Sequence, residues 1–119
     1  MLDLSSAGGK MKEADNIIVF VTTATEGESH NIADLILSRR KAACVNIVPR
    51  VDSLFWWQGK LDSAQESLLI IKTKASLLSE IVNLVKGIHS YQVPEIVAVP
   101  IISGNEDYLK WIDNEVREG

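Results

Sequence analysis

The strongest constraint in the sequence is that three apolar segments carry hydrophobic side chains at both odd and even positions. These segments are IIVFV at 17–21, LLII at 68–71 and IVAVPII at 96–102. Successive side chains of a β-strand point to opposite faces of its sheet, so both faces of this sheet are apolar. A sheet with one face in water would alternate apolar and polar residues. We therefore expect helices on one face and either a third helix or, preferably, a partner subunit on the other.

The first strand and helix are marked by a change of hydrophobic period. The β-branched run Ile17–Thr23 predicts a buried strand. Thr25 and Glu28 then have the spacing of a capping box, which begins a helix. Apolar residues continue at helical spacing to Ala43, so we expect this helix to end near Cys44.

A long β-hairpin is predicted next. Strand character runs from Val45 to Trp57, and Pro49 indicates a bend or bulge because proline cannot donate a ladder hydrogen bond. Gln58-Gly59-Lys60 is the expected turn, since glycine accepts a positive φ. The return strand reaches the apolar segment at 68–71, and Ser76 is the expected N-cap of the second helix.

The remaining elements complete the order β-α-β-β-α-β-α. A strand is predicted over Glu95–Ile102, and Asn105 is the N-cap candidate of a last helix. The first six elements have the order of an α+β, ferredoxin-like β-α-β-β-α-β sandwich, to which the C-terminal helix is added. We predict one domain over residues 15–119 and a flexible N-terminal tail over residues 1–14, which lack an apolar period.

The hairpin carries three consecutive aromatic residues, Phe55, Trp56 and Trp57. Consecutive residues of a strand face opposite sides, so an isolated hairpin would expose at least one of them to water. We therefore predict that these residues lie at a subunit interface.

Composition excludes several functional classes. The net charge is −4 with 16 acidic and 12 basic residues, which argues against nucleic acid as a partner because phosphate binding needs clustered Lys and Arg. No segment approaches the length of an apolar membrane span, and the N-terminus lacks the apolar stretch of a signal peptide. The single cysteine indicates a reducing compartment. We expect a cytoplasmic protein without a membrane partner.

Five successive segments closely resemble the signatures of the CutA (divalent-cation-tolerance) family. They are AACVN at 42–46, WQGK at 57–60, ESLLIIKT at 66–73, HSYQVPEI at 89–96 and YLKW at 108–111. The resemblance covers residues 17–111 in order. It implies a ferredoxin-like subunit in a homotrimer similar in architecture to PII signalling proteins, with a role in divalent cation tolerance and copper binding.

The chain departs from that family at positions relevant to copper. The family's usual His-Pro-Tyr-Glu signature reads HSYQ at 89–92 here. Where some copper-associated relatives carry a cysteine and a histidine pair, this chain has Val21 and Ile88–His89. One of three soft ligands remains, so we expect no obligatory cofactor and at most weak binding of copper or another divalent metal.

Three residues are candidate metal ligands: Cys44, His30 and His89. They form no spaced motif, and Cys44 is expected to be a buried thiol and His30 a solvated side chain. His89 follows the second helix and is the metal-ligand candidate, with capping of that helix as the alternative.

Five further residues are candidates for a ligand pocket, because they combine aromatic or apolar bodies with polar ends. They are Lys72, Trp57, Tyr91, Gln92 and Glu95. Lys72 follows four apolar residues, so its ammonium needs a partner, for which Glu95 or another subunit's carboxylate is the candidate. A structural ion pair or an interface network is the alternative.

The sequence contains no P-loop, GxGxxG or GxSxG motif, and we expect a protein that is not an enzyme. The main hypothesis is a trimeric protein that binds divalent metal and confers metal tolerance. The alternatives are a PII-like sensor of a small anionic metabolite bound between subunits and a structural trimer that anchors other proteins.

Overall fold

The computed structural model describes residues 15–119, and its elements follow the predicted order. In chain order they are β1 (Asn16–Thr23), α1 (Glu26–Ser38), β2 (Cys44–Trp57), β3 (Lys60–Lys74), α2 (Leu78–Ile88), β4 (Ile96–Pro100) and α3 (Glu106–Glu115). A single 3-10 turn, Ala75–Leu77, precedes α2. The predicted tail at 1–14 lies outside the described residues, and the domain limits stay predictions.

The four strands form one sheet in the order β2-β3-β1-β4, and every neighbouring pair is antiparallel. β1 therefore lies between β3 and β4, which are distant from it in sequence, as the split βαβ arrangement requires. The predicted α+β, ferredoxin-like fold with an extra C-terminal helix is confirmed. None of the helices within residues 15–119 is long and apolar enough to cross a membrane.

The core lies between one face of the sheet and helices α1 and α2. Val19 of β1 is paired with Ile71 of β3, and both side chains are fully buried. Burying a side chain of this size contributes roughly 1.5–3 kcal/mol. The helices complete this core with Ile32, Ile36, Ile81 and Val85.

The opposite face of the sheet has no such layer of helices. Phe20 lies on it between Ile70 of β3 and Val97 of β4. Helix α3 reaches one end of this face, where Asn16 Nδ2 donates to Asp113 Oδ1 at 2.9 Å. Val97 and Val99 remain 50% and 42% exposed. We call this surface the helix-free face; the third helix covers only part of it.

β2 and β3 continue beyond the other strands as a hairpin, which we call the arm (residues 51–66). The predicted irregularity at Pro49 is confirmed, since a register shift separates Val48 from Val51. The predicted turn is also confirmed: Gln58 and Gly59 have φ of 51° and 77°. Two successive left-handed residues match the right-handed twist of the paired strands.

A chain of buried hydroxyl groups connects β1, α1 and the base of the arm. Thr23 Oγ1 lies 2.7 Å from Ser29 Oγ, and Ser29 Oγ donates to Ser67 Oγ at 2.8 Å. Ser67 Oγ donates to the Val48 carbonyl at 3.2 Å. Each hydroxyl has one proton, so Ser29 and Ser67 both donate in the direction of Val48. The Thr23 proton has two acceptors in reach, Ser29 Oγ and the Thr25 carbonyl at 2.8 Å.

Two expected helix boundaries were wrong. α1 ends at Ser38, not near Cys44, because Arg40 adopts a left-handed φ of 59° and reverses the chain. Lys41 then turns inward, where its Nζ contacts Glu80 Oε2 at 3.1 Å and donates to the Arg117 carbonyl at 2.9 Å. The basic residues after α1 therefore hold the C-terminal segment.

Ser76 does not cap α2 as expected. It lies within the 3-10 turn, and the N-cap position belongs to Leu77, whose side chain makes no capping hydrogen bond. The Asn105 cap of α3 is confirmed, since its side chain accepts from the Asp107 amide at 2.9 Å.

Glu28 connects the start of α1 with the loop after α2. The Thr25 side chain accepts from the Glu28 amide at 3.1 Å, as predicted, while Glu28 Oε1 accepts from the Ala24 amide at 3.1 Å. Its carboxylate also accepts from the Ser90 amide at 2.6 Å and from Ser90 Oγ at 3.0 Å. Burial alone would raise the pKa of Glu28, but these hydrogen bonds outweigh it and lower the pKa below 4.5.

We predict that Glu28→Gln lowers the free energy of unfolding at neutral pH by about 1–2 kcal/mol. Both carboxylate oxygens accept hydrogen bonds, so a glutamine must turn its NH₂ group toward one of the donors. A depressed pKa gives stability that is complete above the unfolded value of 4.5 and is lost as pH falls through the folded value. Denaturation at fixed protein concentration should show that the unfolding free energies of wild type and Glu28→Gln become equal at acid pH.

Glu26→Gln is the matched control, because Glu26 is an exposed acid of the same helical turn, and its carboxylate lies 3.4 Å from His30 Nε2. An effect of Glu28→Gln that is equal at neutral and acid pH would contradict the role assigned to the charge.

Candidate functional site

A cleft of about 800 Å³ opens between the arm and the loop that joins α2 to β4. Thr22 and Glu66 lie at its base. Both residues have the strand parity of the helix-free face, so the cleft belongs to that side of the sheet. Its volume is within the range of sites for small molecules, which is roughly 300–1,000 Å³.

The arm supplies an aromatic and acidic side of the cleft. Phe55 is paired with Asp62 and Trp57 with Lys60, and Phe55, Trp57 and Asp62 line the cleft. Trp56 and its partner Leu61 point to the other side of the arm. The predicted interface candidates are therefore divided: Phe55 and Trp57 (36% and 60% exposed) border the cleft, whereas Trp56 (74% exposed) faces away from it.

The loop side of the cleft is positioned by His89, whose side chain is fully buried. Its Nδ1 accepts from the Tyr91 amide at 2.9 Å, so the ring proton is on Nε2. Nε2–H then donates to the Thr22 carbonyl at 2.8 Å. Together with the Ser90–Glu28 contacts, these bonds attach the loop to both β1 and α1.

Tyr91 and Glu66 connect the loop to β3 across the base of the cleft. The Tyr91 hydroxyl donates to Glu66 Oε2 at 2.8 Å. Burial, together with the Glu66 carboxylate, raises the pKa of Tyr91 to about 12. Glu95 lies beside them, where its Oε1 accepts from Thr22 Oγ1 at 3.5 Å. Because its pKa is raised, the Tyr91 hydroxyl is a neutral donor at physiological pH.

Four of the five predicted pocket residues surround this one cleft: Trp57, Tyr91, Gln92 and Glu95. Lys72 does not line it. Its ammonium donates to the Asn46 side chain, so the partner is a neighbouring-strand amide and not the predicted Glu95. An adjacent strand can place a short polar side chain beside a lysine, and this cross-strand register is not visible in the local pattern around Lys72.

Asp62, Glu66 and Thr22 line the cleft but were not among the predicted pocket residues. The sequence signal that points to Asp62 and Glu66 is the alternation of side chains between the two faces of the return strand. Asp62, Ala64 and Glu66 occupy one face of β3, and the paired positions on β2 include Phe55. Recognising them requires the hairpin register, which the Gln58-Gly59 turn determines.

The candidate metal ligands lie apart from each other. Both ring nitrogens of His89 are engaged in hydrogen bonds, while His30 is exposed and contacts Glu26. The expectation that Cys44 is a buried thiol was wrong: it is half-buried on β2, and its Sγ donates to Asn46 Oδ1 at 3.9 Å. Across residues 15–119, no three His, Cys, Asp or Glu side chains are grouped so that they could hold a metal ion.

The positions of the departures from copper-associated relatives are also informative. Val21 is fully buried in the helix-covered core, whereas Ile88 is exposed at the end of α2. The two positions therefore lie in different environments in this chain.

Comparison with known proteins identifies the family. The profile of the CutA1 divalent ion tolerance protein family matches residues 17–115. "Protein CutA 1, chloroplastic" of Oryza sativa subsp. japonica is 44% identical over 118 residues, which are 96% of this chain and 67% of that protein.

Solved structures agree with the sequence comparison. The crystal structure of CutA1 from Oryza sativa has a TM-score of 0.86 at 45% identity, covering 90% of this chain and 98% of that one. The periplasmic divalent cation tolerance protein CutA from Archaeoglobus fulgidus has a TM-score of 0.83 at 38% identity, covering 86% and 99%. The chain belongs to the CutA1 divalent ion tolerance protein family.

Proposed function

We propose that the chain is a non-catalytic subunit of a homotrimer that acts in divalent cation tolerance. The observation that carries the assembly is the exposed apolar surface on the helix-free face and on both sides of the arm. The role in divalent cation tolerance is supported by membership of the family. Soluble proteins rarely leave large contiguous apolar patches in water unless a partner covers them. The number of three subunits comes from the resemblance to the family.

The absence of catalysis is part of this proposal. A Cys–His pair would need Cys44 near His89, but Cys44 is paired with Lys72 in the sheet, whereas His89 contacts Thr22, opposite Leu68. Leu68 and Lys72 are four residues apart on β3, which corresponds to about 13 Å along an extended strand. This arrangement supports a binding role rather than nucleophilic catalysis.

We also propose that copper or another divalent metal binds at most weakly. Tight copper sites need several deprotonated soft ligands in fixed geometry. His89 would have to give up its hydrogen bond to Thr22 or Tyr91 before it could coordinate a metal. The exposed His30–Glu26 pair is the more accessible weak ligand set.

A second candidate function is that of a sensor for a small molecule, and the cleft between the arm and the α2–β4 loop supports it. The anionic metabolite expected from the sequence is less well matched, because no lysine, arginine or histidine is among the residues that line the cleft.

A cytoplasmic location remains our proposal for this chain, supported by its single cysteine. The names of the related proteins include a chloroplastic and a periplasmic one, so membership of the family does not determine the compartment.

We predict that the full chain sediments as three subunits at micromolar concentration. Its apparent stability should rise with concentration, because association is coupled to burial of the helix-free face. Sedimentation equilibrium checks the mass, and the melting temperature over a wide dilution range checks the stability. A folded monomer at these concentrations would refute the trimer.

We predict that Trp56→Ala combined with Trp57→Ala dissociates or aggregates the protein, because desolvated tryptophans dominate interface energies, at about 2 kcal/mol or more each. Trp111→Ala is the control: this tryptophan packs on Tyr108 of its own helix, with ring centroids 5.5 Å apart. The control should lose stability without changing mass. An unchanged mass and melting temperature of the arm variant would show that the arm is not an interface.

We predict that calorimetry with Cu²⁺ on metal-free protein detects at most weak binding and that His89→Ala leaves it unchanged. The same variant should lose about 1–3 kcal/mol of stability, because it removes two buried hydrogen bonds. His30→Ala should reduce the weak binding. Submicromolar affinity at defined stoichiometry that disappears in His89→Ala would overturn this prediction.

A further inference from the structure

The cleft between the arm and the α2–β4 loop has an uneven charge. Three carboxylates line it, those of Asp62, Glu66 and Glu95, and no basic side chain does. Within the described residues, none of the three forms a salt bridge. Nearby ion pairs involve other acids, such as Asp52 with Arg50 at 3.5 Å. Lys60, which is paired with Trp57 and shares the strand face of Asp62, is a neighbouring base that does not line the cleft. The residues that line the cleft therefore carry a net negative charge.

The carboxylates face aromatic surfaces across the same space. Phe55 and Trp57 lie on the arm side and Tyr91 on the loop side. The face of an aromatic ring carries partial negative charge and attracts a cation placed over it. Aromatic rings and carboxylates together form a site for a positively charged group attached to an apolar body.

The carboxylate hydrogen bonds leave room for such a ligand. Glu66 accepts one bond from Tyr91, and Glu95 accepts one long bond from Thr22. Asp62 Oδ1 accepts from the Ser63 amide at 2.8 Å. A carboxylate has about four acceptor positions, so each of the three keeps the capacity to accept from a ligand N–H.

A bare metal ion and an anion both match these features less well than an organic cation does. The carboxylates come from the arm, the base and the loop, and they are not grouped closely enough to hold a metal within residues 15–119. An anion would face three negative charges without a compensating cation. An extended organic cation can contact all three sides.

We propose that this cleft binds an organic cation, with ammonium groups against the carboxylates of Glu66, Glu95 and Asp62 and an apolar body against Trp57 and Tyr91. The proposal rests on the second candidate function, because it assigns a ligand class to the same cleft. It does not depend on metal binding. Phe55 and Trp57 line the cleft and also belong to the arm that the proposed trimer buries, so the ligand site lies beside the subunit interface.

The test uses three small molecules that share one aromatic body and differ in charge. The probes are 1,4-bis(aminomethyl)benzene, 1,4-benzenedimethanol and 1,4-phenylenediacetate, each titrated into the full chain. Binding is followed by the ¹H–¹⁵N signal of the Trp57 indole, assigned by comparison with Trp57→Phe. The diammonium probe should shift this signal with saturation, and the diol and the dicarboxylate should not.

Charge variants locate the interaction. Glu95→Gln and Asp62→Asn should each weaken the diammonium probe by about threefold to fivefold, the range of a partly exposed ion pair. Asp52→Asn is the matched control: it removes an acid of the same arm that does not line the cleft and pairs with Arg50. The affinity of the Asp52→Asn variant for the diammonium probe should remain within about twofold of wild type.

Two outcomes would overturn the proposal, and they are distinguishable. If the diol or the dicarboxylate binds more tightly than the diammonium probe, the preference for a cation is refuted, while the cleft remains a ligand site. A Trp57 signal that responds to none of the probes would reject the ligand cleft as well, with a second copy of the chain as the occupant of that surface. Sedimentation of the same samples reports the assembly independently.

Discussion

Packing of Val19 and Ile71 against α1 and α2 uses one face of a sheet whose other face also carries large apolar side chains, among them Phe20, Ile70 and Val97. α3 reaches only one end of that second face, through Asn16 and Asp113. The rest of the surface is formed by residues such as Val97, which would be core residues if another layer were present. This imbalance makes the isolated subunit incomplete, and it places the arm and the cleft on the side where association occurs in our proposal.

The loop between α2 and β4 illustrates how a histidine in a family signature can have a structural role. His89 donates to Thr22 and accepts from Tyr91, while the neighbouring Ser90 donates twice to Glu28. These contacts determine where Tyr91 lies, and Tyr91 in turn donates to Glu66. The histidine acts on the cleft through the backbone, so its contribution to function is the position of other side chains.

The sequence predicted those features whose causes are local. Pro49 indicated the bulge because proline lacks an N–H, and Gly59 indicated the turn because it accepts a positive φ. The end of α1 was mispredicted because Arg40 takes a left-handed conformation that its residue type rarely adopts. That conformation accompanies the contacts of Lys41 with the C-terminal segment, which lie 76 residues away in sequence.

The candidate site was predicted in part for the same reason. Tyr91, Gln92 and Glu95 are close in sequence and share one loop, so their joint role was visible. Lys72 was placed wrongly and Glu66 was missed, because their surroundings depend on which strands are neighbours. The register between strands that are distant in sequence, and not the β-propensity of each residue, determines which charged side chains become neighbours.

The hydroxyl chain from Thr23 through Ser29 and Ser67 ends at the Val48 carbonyl, immediately before the bulge from which the arm extends. Bending the arm at this point would separate Ser67 from Val48 and leave buried polar groups without partners, at a cost of about 1–3 kcal/mol. The arm is therefore preorganised: its direction is determined by the core before any partner arrives. A surface held in this way loses little conformational entropy when it is buried, so more of the free energy of its apolar contacts remains available for binding.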